Sequence, residues 1–364
     1  MTETVALAHD YLTQRGGAER VVLSMLAAFP AAPVHTSLYA PERTFPEFST
    51  EDIRTLSLNR FPFLRHDHRR ALPLLAPSFE RLRIDADLVL CSSSGWAHGL
   101  QTDGVKVVYC YTPARWLYQS DHYLRTSSTL TRATLVTLAP WLKRWDRRAA
   151  RSAQRYLTSS TAVRDRIAET YGIEATVVPP PQTIDVDGEQ EPVEGVEPGF
   201  FLCVSRLLPY KHVEVVMSAV AASNGQRLIV VGSGPERPRL EALTAPGIRL
   251  LGSVAEAQLR WLYASCRGVV SAAYEDYGLT PLEAAAFGKP TAALRWGGFL
   301  DTLVEGDTGV FFDEPVVPRV ARALEALDSH RWDASVLRAH AERFAEHHFV
   351  ERLRSIVSEE LARA

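Results

Sequence analysis

The sequence predicts an α/β protein built from two doubly wound units, each with a parallel sheet. Three observations carry this. The chain has 364 residues, more than one ordinary α/β core accommodates and enough for two domains of roughly 150 to 200 residues each. Short apolar runs alternate with longer helical patterns. The alternation restarts after residues 179–199, a tract rich in Pro, Gly and acid that reads as an interdomain linker.

Each element follows from its local pattern. In the first unit Val5-Ala-Leu-Ala8, Leu88-Val-Leu-Cys91, Val105-Lys-Val-Val-Tyr109 and Arg155-Tyr-Leu-Thr158 are predicted strands, each followed by a polar or glycine loop and a helical stretch. In the second, the predicted strands are Gly199-Phe-Phe-Leu-Cys-Val204, Arg227-Leu-Ile-Val-Val231, Ile248-Arg-Leu-Leu251, Gly268-Val-Val-Ser271 and Pro290-Thr-Ala-Ala293. The tail from Ala334 to Ala364 reads as helical throughout. The expected domains are 1–188 and 192–344, with the C-terminal helix over about 345–364 available to pack back on the first. Two such units facing each other leave a cleft at the carboxyl ends of their strands.

Composition narrows the function. With 46% hydrophobic and 23% charged residues and a net charge of −3, the chain reads as a soluble globular protein without general affinity for nucleic acid. Cys91, Cys110, Cys203 and Cys266 are scattered, with no Cys-x-x-Cys pair and no His at ligand spacing, so neither a disulfide framework nor a zinc site is expected. The first residues lack a basic segment and a long apolar core, and no apolar run approaches the roughly 18 residues of a membrane span. A cytoplasmic location is expected. One feature leaves a peripheral membrane contact open: between Arg125 and Arg155 stand eight basic residues and one acid, Asp146, a run that suits a solvated helix face or an anionic surface.

The stretch Glu275-Asp-Tyr-Gly-Leu-Thr-Pro-Leu-Glu283 carries the clearest chemistry. Gly278 and Pro281 exclude an unbroken helix and predict a helix start near Pro281, which puts Glu275 in a loop and Glu283 in a first turn. The backbone N–H groups of Gly278, Leu279 and Thr280 then sit at a helix N-terminus, where unpaired donors favour an anion. Thr280 and Glu283 also match a capping box, in which Glu283 would bond the Thr280 N–H. The other loops of interest likewise follow predicted strands: Gly16-Gly17, Arg206 with Lys211, and Gly232-Ser-Gly234, which lacks the third glycine of a dinucleotide fingerprint. Asp85-Ala-Asp87 and Asp185-Val-Asp187 match Asp-x-Asp, but the first precedes its strand and the second lies in the linker. No metal is expected.

Several motifs taken together resemble a known family: His9-Asp-Tyr-Leu12 with Arg15-Gly-Gly-Ala-Glu-Arg20, Cys91-Ser-Ser-Ser94, Tyr109-Cys-Tyr-Thr-Pro-Ala-Arg115, Trp145-Asp146, Val177-Val-Pro-Pro180, Val204-Ser-Arg-Leu-Leu-Pro-Tyr-Lys211, Glu275 to Glu283 and Gly297-Gly298. In order and spacing they resemble the retaining GT-B glycosyltransferases of family GT4, and within it the bacterial mannosyltransferase-like branch that builds surface polysaccharides. The resemblance runs nearly end to end.

It implies the GT-B fold of two facing Rossmann-like domains with an interdomain cleft, the first binding acceptor and the second nucleotide sugar. Glu275 resembles the glutamate on the donor sugar hydroxyls and Glu283 the one on the ribose. Arg206 and Lys211 resemble the basic pair on the donor diphosphate, so that Glu275, Arg206 and Lys211 form the implied catalytic set. Gly16, Gly17, Gly232, Gly278, Leu279 and Thr280 join Glu283 on the donor, and His9, Tyr111 and Arg115 line the implied acceptor or sugar pocket.

The implied activity is metal-independent, retaining hexosyl transfer without a cofactor. The donor is a nucleotide diphosphate sugar, GDP-mannose-like as the first choice, and the acceptor is a saccharide, a lipid-linked saccharide or a small molecule. Three features depart from the family pattern: Tyr111 stands where the branch usually has His, Asp301 replaces the Glu that often follows the double glycine, and His98 stands where many relatives carry Lys. Tyr111 keeps alternatives open, namely a natural-product transferase using a UDP- or dTDP-sugar, or a non-catalytic sugar-nucleotide binder. A nicotinamide-dependent oxidoreductase would need the complete glycine fingerprint, which is absent.

Overall fold

The structure, a computed structural model, describes residues 3–118, 129–223 and 225–364. Its contacts divide into two compact units, Met1–Pro181 with His347–Ala364, and Gln182–Glu346.

The first unit runs β1 (Val5–His9), α1 (Gly17–Ala28), β2 (Val34–Thr36), β3 (Ile53–Thr55), α2 (Pro62–His66), α3 (Leu72–Glu80), β4 (Leu88–Ser93), β5 (Val105–Cys110), α4 (Arg115–Tyr118), α5 (Thr129–Ala150), β6 (Arg155–Thr158), α6 (Thr161–Tyr171) and β7 (Ala175–Val177). All seven strands are parallel, in the order β3-β2-β1-β4-β5-β6-β7. Alternation builds the two layers above and below the sheet. Along β4, Val89 and Cys91 enter one core cluster, and Leu88 and Leu90 the other. Local signals set the helix ends: the Ser160 hydroxyl accepts from Val163 N at 3.2 Å to start α6, and Gly172, at φ 69°, closes it.

The second unit runs β8 (Phe201–Val204), α7 (Val213–Ala221), β9 (Leu228–Val231), α8 (Arg237–Glu241), β10 (Ile248–Gly252), α9 (Glu256–Ser265), β11 (Gly268–Ser271), α10 (Thr280–Ala286), β12 (Thr291–Leu294), α11 (Phe299–Thr302), β13 (Gly309–Phe312), α12 (Val317–Ser329) and α13 (Ala334–Glu342). Its six parallel strands lie in the order β10-β9-β8-β11-β12-β13. Again one strand feeds both layers, with Phe201 and Cys203 on one face of β8 and Leu202 on the other.

Three features differ from the sequence-based expectation. The tail is not one helix: α13 ends at Glu342, Phe344 N closes a tight turn on Ala341 O, and α14 begins at Glu346 (Glu346–Leu361). The break lets α14 leave the second unit and bury Phe349, Leu353, Ile356 and Val357 in a core cluster of the first. The division between units falls after Pro181 instead of at 188, because Ile184 and Val186 pack on Ala285, Leu337 and their neighbours in the second unit. Finally, β2, β3, β7 and β13 are strands of three or four residues that the apolar-run pattern does not mark; β3 is largely exposed and is bonded on one side only, as an edge strand.

Candidate active site

Strand order reverses once in each sheet, between β1 and β4 in the first unit and between β8 and β11 in the second. Loops leaving the carboxyl ends of strands at such a point diverge and leave room for a ligand. The residues singled out above gather at these two places.

In the second unit, backbone bonds stitch the loops together. Ser205 N donates to Val231 O and Leu207 N to Ser233 O, each at 2.9 Å; Tyr274 N donates to Tyr210 O at 3.1 Å; Gly298 N donates to Glu275 O at 3.0 Å. This lattice brings the loop after β8 onto the loop after β11. The Lys211 ammonium is thereby placed on the Glu275 carboxylate. Lys211 is buried and Glu275 partly so, and two opposite charges taken out of water must be paired. Arg206, four positions before Tyr210, is exposed, and its guanidinium lies 3.4 Å from the Tyr210 hydroxyl.

The glycines of this site have identifiable causes. At Gly297, φ is 59° and an added Cβ would stand 2.1 Å from Glu275 O, so the double glycine lets one loop backbone lie directly on the other. Gly278 has φ 84°, and a Cβ there would strike the Phe299 ring. A Cβ on Gly232 would come within 1.9 Å of Ser205 O; close packing of its loop against the β8 loop thus accounts for this glycine without a ligand.

The capping box does not form. Leu279, not Thr280, is the N-cap of α10, no side chain caps it, and Thr280 is already helical. With Leu279 as the N-cap, Glu283 is the fourth helical residue and not the third, from which a capping-box acid reaches back to the cap. Its carboxylate instead accepts from the Tyr263 hydroxyl at 2.5 Å. Tyr263 is fully buried and stacks on Phe287, so it orients Glu283 rigidly; burial first, and then Glu283, push its phenol well above the ordinary range. Helix α10 spans only seven residues, so an anion at Gly278, Leu279 and Thr280 would rest on individual N–H groups more than on a macrodipole.

In the first unit a chain of hydrogen bonds crosses the switch point. His9 Nδ1 lies 2.9 Å from Ser92 Oγ and 3.2 Å from Ser92 O. A carbonyl only accepts, so Nδ1 carries the proton. Ser92 Oγ lies 2.9 Å from the Tyr111 hydroxyl, which donates to Ala18 O at 3.0 Å. Tyr111 is therefore a strut between the β5 loop and the start of α1, and burial pushes its phenol above the ordinary range. The other ring nitrogen of His9, Nε2, faces Glu19 Oε1 at 4.0 Å, and Oε2 of this buried glutamate has no hydrogen-bond partner among the described residues. Gly16 caps α1 and sits against Glu19 Oε2, whereas an added Cβ on Gly17 would meet no protein atom within 4 Å. Arg115 opens α4, partly exposed.

Residues not assigned a role from sequence hold this framework. Asp10, buried, accepts from Ser94 N at 2.6 Å and Ala97 N at 2.7 Å, which folds the Ser-rich loop after β4. Its place in His9-Asp10 at the end of a strand was the available signal. His98 is buried, with Nδ1 3.0 Å from Ser93 Oγ, Nε2 3.0 Å from Asp146 Oδ1 and its ring beside Trp145. That contact also explains the Trp145-Asp146 motif as internal packing. Asp87 accepts from Thr4 N and Oγ1 at 2.7 and 2.8 Å, which ties the start of the chain to the approach to β4, and Asp185 accepts from Asp187 N at 3.1 Å within its own turn. Of the basic run on α5, Arg144, Arg147 and Arg148 are exposed and Arg148 pairs with Glu80, while Arg125 lies outside the described residues.

Comparison with known proteins decides the family. The model of Glycosyltransferase Family 4 matches residues 15–185, and that of glycosyl transferases group 1 matches residues 188–345. The chain belongs to the family 4 glycosyltransferases. This glycosyltransferase is 27% identical over 329 residues to a GDP-mannose-dependent alpha-mannosyltransferase of Mycobacterium tuberculosis, covering 84% of this chain and 82% of the relative. A glycogen synthase of Pseudomonas aeruginosa is 35% identical over 133 residues, 33% of this chain and 26% of that enzyme.

Among solved structures, the glycosyltransferase superposes on Anabaena HepE in complex with UDP with a TM-score of 0.72 at 18% identity, covering 98% and 100% of the two chains. It superposes on the lipopolysaccharide outer core galactosyltransferase WaaB with a TM-score of 0.67 at 15% identity, covering 98% and 99%. At these identities the likeness speaks for the fold: two Rossmann-like domains of the GT-B class.

Proposed function

We propose that this glycosyltransferase is a retaining, metal-independent hexosyltransferase that moves a mannose-like sugar from a GDP-sugar to an acceptor hydroxyl in polysaccharide or glycoconjugate synthesis. The observation that carries the reading is the Lys211–Glu275 pair at the switch point of the second unit. A nucleotide diphosphate sugar offers an anion beside sugar hydroxyls. Each half of the pair can exchange its partner for one end of such a donor, so that neither buried charge is left alone.

In this reading Lys211 and Arg206 take the diphosphate, Glu275 the sugar hydroxyls and Glu283 the ribose, with Gly16, Gly17, Gly232 and the N–H groups of Gly278, Leu279 and Thr280 around the donor. His9, Tyr111 and Arg115 border the acceptor. The bond from the anomeric carbon to the diphosphate oxygen breaks as the acceptor oxygen bonds to the same face, and the acceptor proton passes to the departing phosphate oxygen. The two cations stabilise the charge that grows on the leaving group. The GDP-mannose choice draws support from the relative that spans most of the chain.

The proposed setting of the reaction is the cytoplasm, and the four buried free cysteines support it, since they suit a reducing compartment.

The test is donor turnover with GDP-mannose, UDP-glucose and dTDP-glucose, each with and without EDTA, and with product configuration read by NMR. GDP-mannose should be consumed with retention and be indifferent to EDTA, while Arg206→Ala should lose about a hundredfold or more in rate, the range for a removed transition-state donor. Turnover of a UDP- or dTDP-sugar alone would point instead to natural-product glycosylation. Binding without turnover of any donor would make the chain a sugar-nucleotide binder. An EDTA loss restored by Mn²⁺ would replace the cation mechanism.

A further inference from the structure

Among the described residues, His212 is the one residue other than glycine with a positive φ, at 48° with ψ 37°. In this left-handed region a Cβ crowds the following carbonyl, so a side chain stays there only where its surroundings impose it. The His212 N–H closes the tight turn Pro209–Lys211 on Pro209 O at 3.3 Å, and its carbonyl accepts from Val215 N at 3.1 Å as α7 begins. One residue therefore ends the turn and starts the helix, directly after Lys211.

The side chain at this joint reaches the opposite loop. The His212 ring meets the Tyr274 ring edge to face, with centroids 5.4 Å apart and planes at 78°, and Tyr274 meets Trp296 in the same manner at 5.2 Å and 82°. Each ring is next in sequence to a residue of the site: His212 follows Lys211, Tyr274 precedes Glu275, and Trp296 precedes Gly297, whose backbone lies on Glu275 O. Edge-to-face rings at this spacing attract beyond the area they bury. Glu214, itself 3.4 Å from Arg239, stands 3.6 Å from His212 Nδ1 and restrains the ring from a second side.

We propose that the rings of His212, Tyr274 and Trp296 form a bracket that holds the loops after β8, β11 and β12 in register, and that His212 is a positioning residue for the transfer reaction, setting where Lys211 meets the leaving group. This rests on the assignment of Lys211 to the donor diphosphate. A lysine carries its charge on a flexible four-carbon stem, so its aim depends on the backbone that bears it and on what packs around it. A cation stabilises the charge growing on a leaving group to the extent that it is already in place, and a small misplacement is felt in the chemical step. The three rings need not touch the donor for this. Loss of the bracket therefore lowers kcat more than it raises KM.

The test is steady-state kinetics of the full chain with whichever of GDP-mannose, UDP-glucose and dTDP-glucose the wild type consumes, with a melting curve for each variant. His212→Gly deletes the ring and keeps the left-handed backbone without crowding. It should melt close to the wild type and lose about ten- to a hundredfold in kcat, with KM moved less than about threefold. Tyr274→Ala should show the same loss, Tyr274→Phe, which keeps the ring, should retain kcat, and His212→Gly with Tyr274→Ala should lose no more than either alone, since both delete one contact. His212→Ala isolates the backbone: it should melt below His212→Gly with the same kcat. Wild-type kcat in His212→Gly overturns the proposal, as does a loss confined to KM or one that adds to the loss from Tyr274→Ala. Lys211→Ala separates the two levels. If it keeps turnover, or if the wild type consumes none of the three donors, the assignment of Lys211 falls and the bracket with it; if it loses turnover while His212→Gly does not, the bracket falls alone.

Discussion

The buried Lys211 ammonium has the Glu275 carboxylate as its partner, joining the loops after the two strands at which the second sheet changes direction. Removing one half leaves the other charge in a partly dry site. Glu275→Ala is expected to abolish sugar transfer and lower the melting temperature, yet to leave nucleoside diphosphate affinity equal or tighter, because Lys211 is then released for the anion. Calorimetric titration with GDP alongside a turnover assay checks this. Near wild-type turnover would remove Glu275 from the chemistry. Lys211→Ala should weaken GDP and turnover together.

Two glycines separate structural from ligand-imposed constraint. Gly232→Ala should destabilise the second unit by several kcal/mol or prevent its folding, since the new Cβ meets Ser205 O at 1.9 Å and φ is 133°. Gly17→Ala meets open space and should leave stability unchanged or raise it by about 0.5–1 kcal/mol at the first turn of α1. If the donor approaches that backbone, the same variant loses turnover while keeping its fold. Equal activity in Gly17→Ala would take Gly17 off the donor.

Tyr263 gives a handle on Glu283 that does not touch the ligand. Tyr263→Phe deletes the 2.5 Å hydrogen bond and keeps the ring on Phe287. A loss of about 1–3 kcal/mol in stability is expected, together with weaker GDP binding under the proposed role of Glu283 on the ribose, because an unguided Glu283 no longer holds one rotamer. Denaturant unfolding with and without GDP measures both. Unchanged nucleotide affinity would confine the pair to structure.

Asp10 sets a pH dependence. Burial raises its carboxyl above the ordinary 3.8, against the lowering effects of His9 and of the Ala97 and Ser94 N–H groups. A folded-state pKa above the unfolded value means that the native state binds more protons in the window between them, so stability falls as pH rises through that window from 3.8. The stability difference between wild type and Asp10→Asn should shift against the wild type across the same range and level off above it. Chemical denaturation of the first unit at a series of pH values tests the slope; an opposite slope would mean that the N–H groups dominate burial.

Much of this molecule was legible in the residues themselves. The strands Val5–His9, Leu88–Ser93, Val105–Cys110 and Leu228–Val231 are apolar because both faces of a parallel sheet are covered, and that pattern needs no partner to be recognised. Glu275, Gly278 and Pro281 announce a loop turning into a helix through backbone preferences local to each residue. What sequence could not decide was which strands lie side by side, since strand order depends on packing between segments that are distant along the chain. Only that order brings Lys211 to Glu275, 64 positions later, and His9 to Ser92, 83 positions later. The same reason applies to Tyr263 on Glu283, Trp145 and Asp146 around His98, and the break at Arg343–Ala345 that returns α14 to the first unit. Each is chosen by the space and the unpaired groups that other elements leave, and none by a preference of its own neighbours.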